Sequence, residues 1–273
     1  MKTYESLKHA VRDAERTMVT KGEVVKPKFW QATDVSAKPE AKMRELLYFN
    51  FTAPMPATLW DLEKEVQPNM PWAEDHFQER VGGKPVNPGT TWVDWPWSNS
   101  ADKHRLSQGN NGKFNHNYME RYWPKLAGYP TIEVNAGLHT PHMGIRYEYG
   151  DLVDVVNLMS KDLLTRQAYM PVFFPEDTGA VHGGRIPCSI GYHFMVRDNK
   201  LNVVYQLRSC DLFRHFRDDI YLTVRLAQWF QEELELTHRI KVDLGNIHMM
   251  ISSLHLFIND YNALSTRISK ESD

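Results

Sequence analysis

The stretch SIGYHFMVRDNKLNVVYQLRS, residues 189–209, constrains this chain more than any other. It reads as two strands joined by a tight turn at Asp198–Asn199. Antiparallel strands connected this closely bring their far ends together. Cys188 leads into the first strand, and Arg208, Ser209, Cys210 and Asp211 close the second. The hairpin therefore sets a thiol near a guanidinium, which favours the nucleophilic thiolate. The fork of donors on Arg208 also suits a phosphate. An isolated cysteine is more often core filler, and Cys210 is read that way.

Helical and strand patterns interleave around this hairpin. Tyr4, Leu7, Val11, Ala14 and Met18 recur at helical spacing over residues 4–18. Leu152, Val155, Val156, Met159 and Leu163 mark a second helix. Ile220, Val224, Ala227 and Leu234 mark a third over residues 218–235. QAYMPVFF, residues 167–174, predicts a strand that Pro171 restricts to an edge or a bulge. NIHMMISSLHLF, residues 246–257, predicts another. There is no βαβ rhythm and the connections are of hairpin type, so the expected class is α+β, a mixed sheet packed with helices. Residues 52–115 are dense in Pro, Gly and Trp without a sustained period. They are expected to form a surface excursion inserted in one domain spanning 1–273.

The chain has 273 residues, 42% of them hydrophobic, enough to bury a substantial core. A net charge of −2 excludes a global basic field, so no nucleic-acid partner is expected. Two cysteines make no disulfide framework, the opening MKTYESLKHAVRDAERT has no apolar signal core, and no run approaches a membrane span. A cytoplasmic location, in the host cytoplasm if the source is viral, is the expectation.

IPCSIGYHFMVRDNKLNVVYQLRSCDLFRHFRDD, residues 186–219, resembles the catalytic core of the thymidylate synthase family. That pattern is a proline–cysteine pair, a hairpin, Arg-Ser-x-Asp and a polar residue eight positions after the Asp. Three further segments keep the family's order. ERYW at 120–123 matches its Glu-x-x-Trp, TRQ at 165–167 stands at its Ser-Arg-Arg, and SLHLF at 253–257 stands at its His-x-Tyr. The likeness covers residues 116–262. It implies a thymidylate synthase-type fold, a homodimer formed through a sheet face, and 5,10-methylenetetrahydrofolate as cofactor. It further implies that the Cys188 thiolate adds to C6 of a pyrimidine, which makes C5 a nucleophile. Glu120 then organises water and relays protons. Arg208 and Arg166, the latter donated across the dimer, hold the phosphate. Ser209 and His255 meet the sugar, and Trp123 and Asp211 the folate.

Eight residues after Asp211 stands Asp219, where thymidylate synthases carry asparagine. An asparagine amide complements uracil. An aspartate accepts from the amino group of cytosine and, once N3 is protonated during attack at C6, from N3–H as well. Asp219 thus implies dCMP as substrate, and FRDD resembles the corresponding stretch of phage deoxycytidylate hydroxymethylases. The expected product is 5-hydroxymethyl-dCMP, completed by water. The alternatives are a dCMP or CMP methyltransferase, a dUMP-methylating thymidylate synthase, and a catalytically silent nucleotide- or RNA-binding homologue. Ser209 favours deoxyribose over ribose.

Several positions depart from the family pattern. Phe257 replaces a sugar-binding tyrosine. Gln167 replaces a second arginine, leaving Lys21, Lys26 or Lys28 to compensate. Met143 replaces a tyrosine that helps remove the C5 proton, a role that passes to water, His139, His142 or Glu120. STRISKESD lacks a short apolar closing tail, which suits admission of water. The H-x-x-H of His139 and His142 is a weak zinc signal, and no metal is expected. Asp218 and Asp219 are both also placed to cap the helix that follows.

Overall fold

Asp198 and Asn199 have φ of 51° and 58°, the left-handed pair that a two-residue hairpin turn requires. The hairpin is therefore formed as expected, in a computed structural model that describes residues 2–30, 33–98, 113–114, 116–128, 150–178 and 185–270. The strands are β1 (Lys2–Thr3), β2 (Glu23–Val25), β3 (Phe29–Trp30), β4 (Thr33–Asp34) and β5 (Met43–Pro54). They continue with β6 (Tyr169–Pro171), β7 (Ser189–Arg197), β8 (Lys200–Leu207), β9 (Cys210–Asp211) and β10 (Asp243–Phe257). The helices are α1 (Leu7–Lys21), α2 (Leu59–Val66), α3 (Trp72–Val81) and α4 (Tyr118–Tyr122). After them come α5 (Pro124–Gly128), α6 (Leu152–Lys161), α7 (Phe216–His238) and α8 (Tyr261–Lys270).

The main sheet runs β1-β5-β10-β8-β7-β6, with β2 on β5 and β9 on β10. β10 is antiparallel to β5 and parallel to β8, while β7 and β8 are antiparallel. The result is an open mixed sheet packed with helices, an α+β architecture. β6 ends the order, so Pro171 sits on an edge strand, as its missing N–H demands.

One face of the sheet makes the core. Phe49, Phe51 and Ala53 of β5, Ile247, Met249 and Ile251 of β10, and Leu201, Val203, Tyr205 and Leu207 of β8 are all buried at period two. α7 packs against this face and buries Ile220, Val224, Ala227 and Leu234, the stripe its periodicity predicts. Its Phe230 stacks on Phe194 of β7 with ring centroids 4.0 Å apart. α1 buries Leu7, Ala10, Val11, Ala14 and Met18. Tyr4 precedes it, because Ser6 is the N-cap. α6 ends at Lys161, so Leu163 lies beyond it.

Residues 52–98 depart from the expectation of a surface excursion, while residues 99–112 and 115 of that stretch lie outside the described residues. Residues 52–54 complete β5, and α2 and α3 bury Leu62, Val66, Trp72, Ala73 and Phe77. Arg225 of α7 grips Glu74 of α3 through two bonds of 2.9 Å, tying this region to the central helix. Among the described residues, no helix is long and apolar enough to cross a membrane.

Candidate active site

The hairpin's open end borders a cavity of about 230 Å³. Arg208 donates its backbone N–H to the Cys188 carbonyl at 2.9 Å, which fixes the two chain ends side by side. Cys188, Ser209, Cys210, Asp211 and Asp219 all line the cavity. Arg208 also donates Nε to the Pro187 carbonyl at 2.8 Å and Nη2 to the Ile186 carbonyl at 3.1 Å. Part of its donor fork is thus spent on shaping the segment that carries the thiol. Burial pushes the Cys188 pKa up, and the nearby Arg208 charge only partly offsets it. This corrects the expectation of a resting thiolate: the arginine is adjacent, but desolvation wins and the thiol rests protonated.

Asp219 sits in the first turn of α7, half-buried in the cavity wall. Burial raises its pKa to about 7, against the pull of Arg80. Its Oδ2 receives the Cys210 thiol at 3.4 Å. Asp218 does not cap the helix, since its carboxylate takes the N–H and the side-chain amide of Asn69, each at 2.8 Å. Asp211 accepts from the N–H groups of Phe213 and Arg214, and burial still lifts its pKa to about 6.

β10 exchanges its partner β8 for β9 between Ile251 and Leu254, and its inward set shifts phase there. His255, opposite Asp211 in that register, brings Nδ1 to 3.3 Å from Ser209 Oγ. Burial depresses its pKa to about 4, so it is neutral. Cys188, Arg208, Ser209, Asp211, Asp219 and His255 therefore form one cluster.

Other expected residues stand apart. Glu120 in α4 is buried under the site rather than in the cavity lining. Its Oε2 accepts from Asn87 at 2.8 Å, and burial raises its pKa to about 7. Trp123 differs from the expectation of a folate contact: it is core, its indole N–H donated to the Arg80 carbonyl at 2.9 Å. Arg166 is exposed and outside its own chain's cavity, as are Lys21, Lys26 and Lys28. His139, His142 and Met143 lie outside the described residues.

Sequence reasoning missed Tyr118 and the contribution of α3. Tyr118 lines the cavity, and its hydroxyl accepts from Ser189 at 3.1 Å. Ser189 also hydrogen-bonds Tyr205. Trp72, His76 and Arg80 form a wall at positions i, i+4 and i+8 of α3, a helical stripe that was legible in principle. Trp92, Trp95 and Phe114 extend that aromatic lining. No protein-family model matches the chain, and no curated protein is similar enough to it to count as a match.

Proposed function

We propose that this chain is a thymidylate synthase-type enzyme that transfers a one-carbon unit from 5,10-methylenetetrahydrofolate to C5 of dCMP, with water completing 5-hydroxymethyl-dCMP. The observation that carries this reading is the shared cavity of Cys188 and the carboxyl of Asp219. A nucleophile and an acid poised near pH 7 are what addition across a cytosine 5,6 double bond demands. The Cys188 sulfur bonds to C6 as its proton departs to solvent. The displaced electron pair is drawn toward the N3–C4 side, where Asp219 supplies a proton to N3. The resulting carboxylate then accepts from N3–H and from the amino group, so binding strengthens as the adduct forms. Bound methylenetetrahydrofolate supplies the one-carbon electrophile, and the flat lining of Trp72, Trp92, Trp95 and Phe114 fits such a ring system. Glu120, with its pKa near 7, is suited to exchanging protons with water as C5 loses its hydrogen. The Arg208 donors not spent on carbonyls, with Ser209 and His255 beside them, suit the phosphate and sugar.

The reading includes a homodimer formed through the sheet face that no helix covers among the described residues, where Met250 is 41% exposed. The exposure of Arg166, away from its own cavity, agrees with donation to a neighbouring site.

The test is release of tritium from C5-labelled dCMP, dUMP and CMP with and without the folate, followed by product mass. Release from dCMP alone, dependent on folate and on Cys188, with a hydroxymethyl increment in the product, is expected. A protein with Cys188 intact that releases no tritium from dCMP sinks the reading.

A further inference from the structure

Arg80 is a guanidinium held deep in the cavity wall, 5% exposed, with most of its donors unspent. Its Nε donates to His76 Nε2 at 2.9 Å. That bond places the His76 proton on Nδ1, which lies 2.9 Å from Thr91 Oγ1 and donates to it. The Thr91 hydroxyl donates in turn to Glu79 Oε2 at 2.6 Å. Burial, aided by the Arg80 charge, holds the His76 pKa at about 4, so the ring stays neutral and the chain of donors keeps one direction. A second restraint is the Tyr118 ring, whose centroid is 4.1 Å from the guanidinium carbon. Together they fix the orientation of the group. Among the described residues no carboxylate forms an ion pair with Arg80, although its charge reaches Asp218 and Asp219, and no protein atom accepts from its two terminal nitrogens. Neither terminal nitrogen is among the buried polar atoms left without a partner, so both open on the cavity, where the acceptor of a ligand can reach them.

We propose that Arg80 is a ligand-binding residue: its terminal nitrogens donate to a ring carbonyl oxygen of a planar heterocycle seated in this cavity. The inference rests on the functional reading above and deepens it, since that reading gave Arg80 no role. Both the pyrimidine of dCMP, through the O2 that Asp219 leaves free, and the pterin ring of the folate, through its carbonyl, present such an oxygen, and convergent donors recognise that oxygen rather than the molecule.

The experiment titrates tryptophan fluorescence of wild type, Arg80→Met and Arg80→Lys, first with dCMP and then with methylenetetrahydrofolate on dCMP-saturated protein. Melting temperature without ligand is measured in parallel. Arg80→Met keeps the apolar stem and removes a buried charge, so it is expected to melt at or above the wild-type temperature. It is also expected to bind about 10- to 100-fold more weakly in one arm. Loss in the dCMP arm puts the fork on the pyrimidine; loss confined to the second arm puts it on the pterin. Arg80→Lys keeps the charge without the fork and is expected to restore only part of the loss. Folded Arg80→Met that binds both ligands within twofold of wild type overturns the inference alone, as does Arg80→Lys with wild-type affinity where Arg80→Met does not fold. A wild-type protein that binds neither ligand overturns the functional reading, and this inference with it.

Discussion

A carboxyl group whose pKa is lifted to about 7 by burial, as at Asp219, exists near neutrality as two different hydrogen-bonding residues. With its proton it offers one donor and one acceptor; without it, two acceptors. Neutral cytosine presents an amino donor and a bare N3 acceptor, so a snug complex contains one proton shared between Asp219 and N3. The sign follows directly. Below about pH 7 the free carboxyl already carries that proton, and above it the complex must take one up. Affinity for dCMP is therefore expected to be flat just below pH 7 and to fall about tenfold per unit between pH 7.5 and 8.5, checked by calorimetry in buffers of different ionisation enthalpy. Asp219→Asn removes the titrating group. It is expected to abolish the slope and shift preference to dUMP, and a variant that keeps the slope refutes the assignment. At this scale the sequence was informative where chemistry is local. Cys188 and Asp211 flank a hairpin whose closure is dictated by its turn, and Asp219 follows one short connection later. It was misleading where chemistry depends on surroundings: proximity of Arg208 argued for a thiolate, and only the burial of Cys188 shows that the protonated form wins.

Elements were legible where one face meets an apolar core, and obscure where it meets a cavity. α7 and the β7–β8 hairpin announce themselves by periods of 3.6 and 2, because most of their inward positions are apolar. In α3 two positions of the inward stripe are His76 and Arg80, which a hydrophobicity pattern counts as solvent-facing although both are buried. In β5 the outward Leu47 and Tyr48 are 62% and 74% exposed, and Tyr48 has a φ of 56°, so apolar residues on both faces and a local flip mask the alternation. The elements that were read correctly also carry the clearest energetic expectation. Phe230 is completely buried and stacks on Phe194, joining the central helix to the hairpin that carries Cys188. Phe230→Ala is expected to cost about 3–5 kcal/mol in urea unfolding, as a large aromatic truncated in a packed core does. A loss below about 1 kcal/mol would show that helix and hairpin are not held together there.

At the scale of the whole molecule, the arrangement leaves one expected phosphate ligand stranded. Arg166 is exposed just before the edge strand β6, while Cys188 lies at the opposite end of β7, and the two do not share a cavity within one chain. On the proposed reading a symmetric dimer would resolve this, because a two-fold axis would let each chain complete the site of the other. The consequence can be counted. Cys188→Ala and Arg166→Ala are each expected to be inactive or nearly so as homodimers. In a dimer that combines one of each, the site built on the mutant Cys188 also receives the mutant Arg166, and both lesions fall together. The other site then has an intact thiol and an intact guanidinium. Random reassortment makes about half of the dimers mixed, each with one working site of two, so the mixture recovers about a quarter of wild-type activity. The check is tritium release after the two variants are unfolded and refolded together, with sedimentation confirming dimers. Recovery near zero, in dimers shown to have mixed, would mean that Arg166 serves no neighbouring site and that the phosphate is held within a single chain.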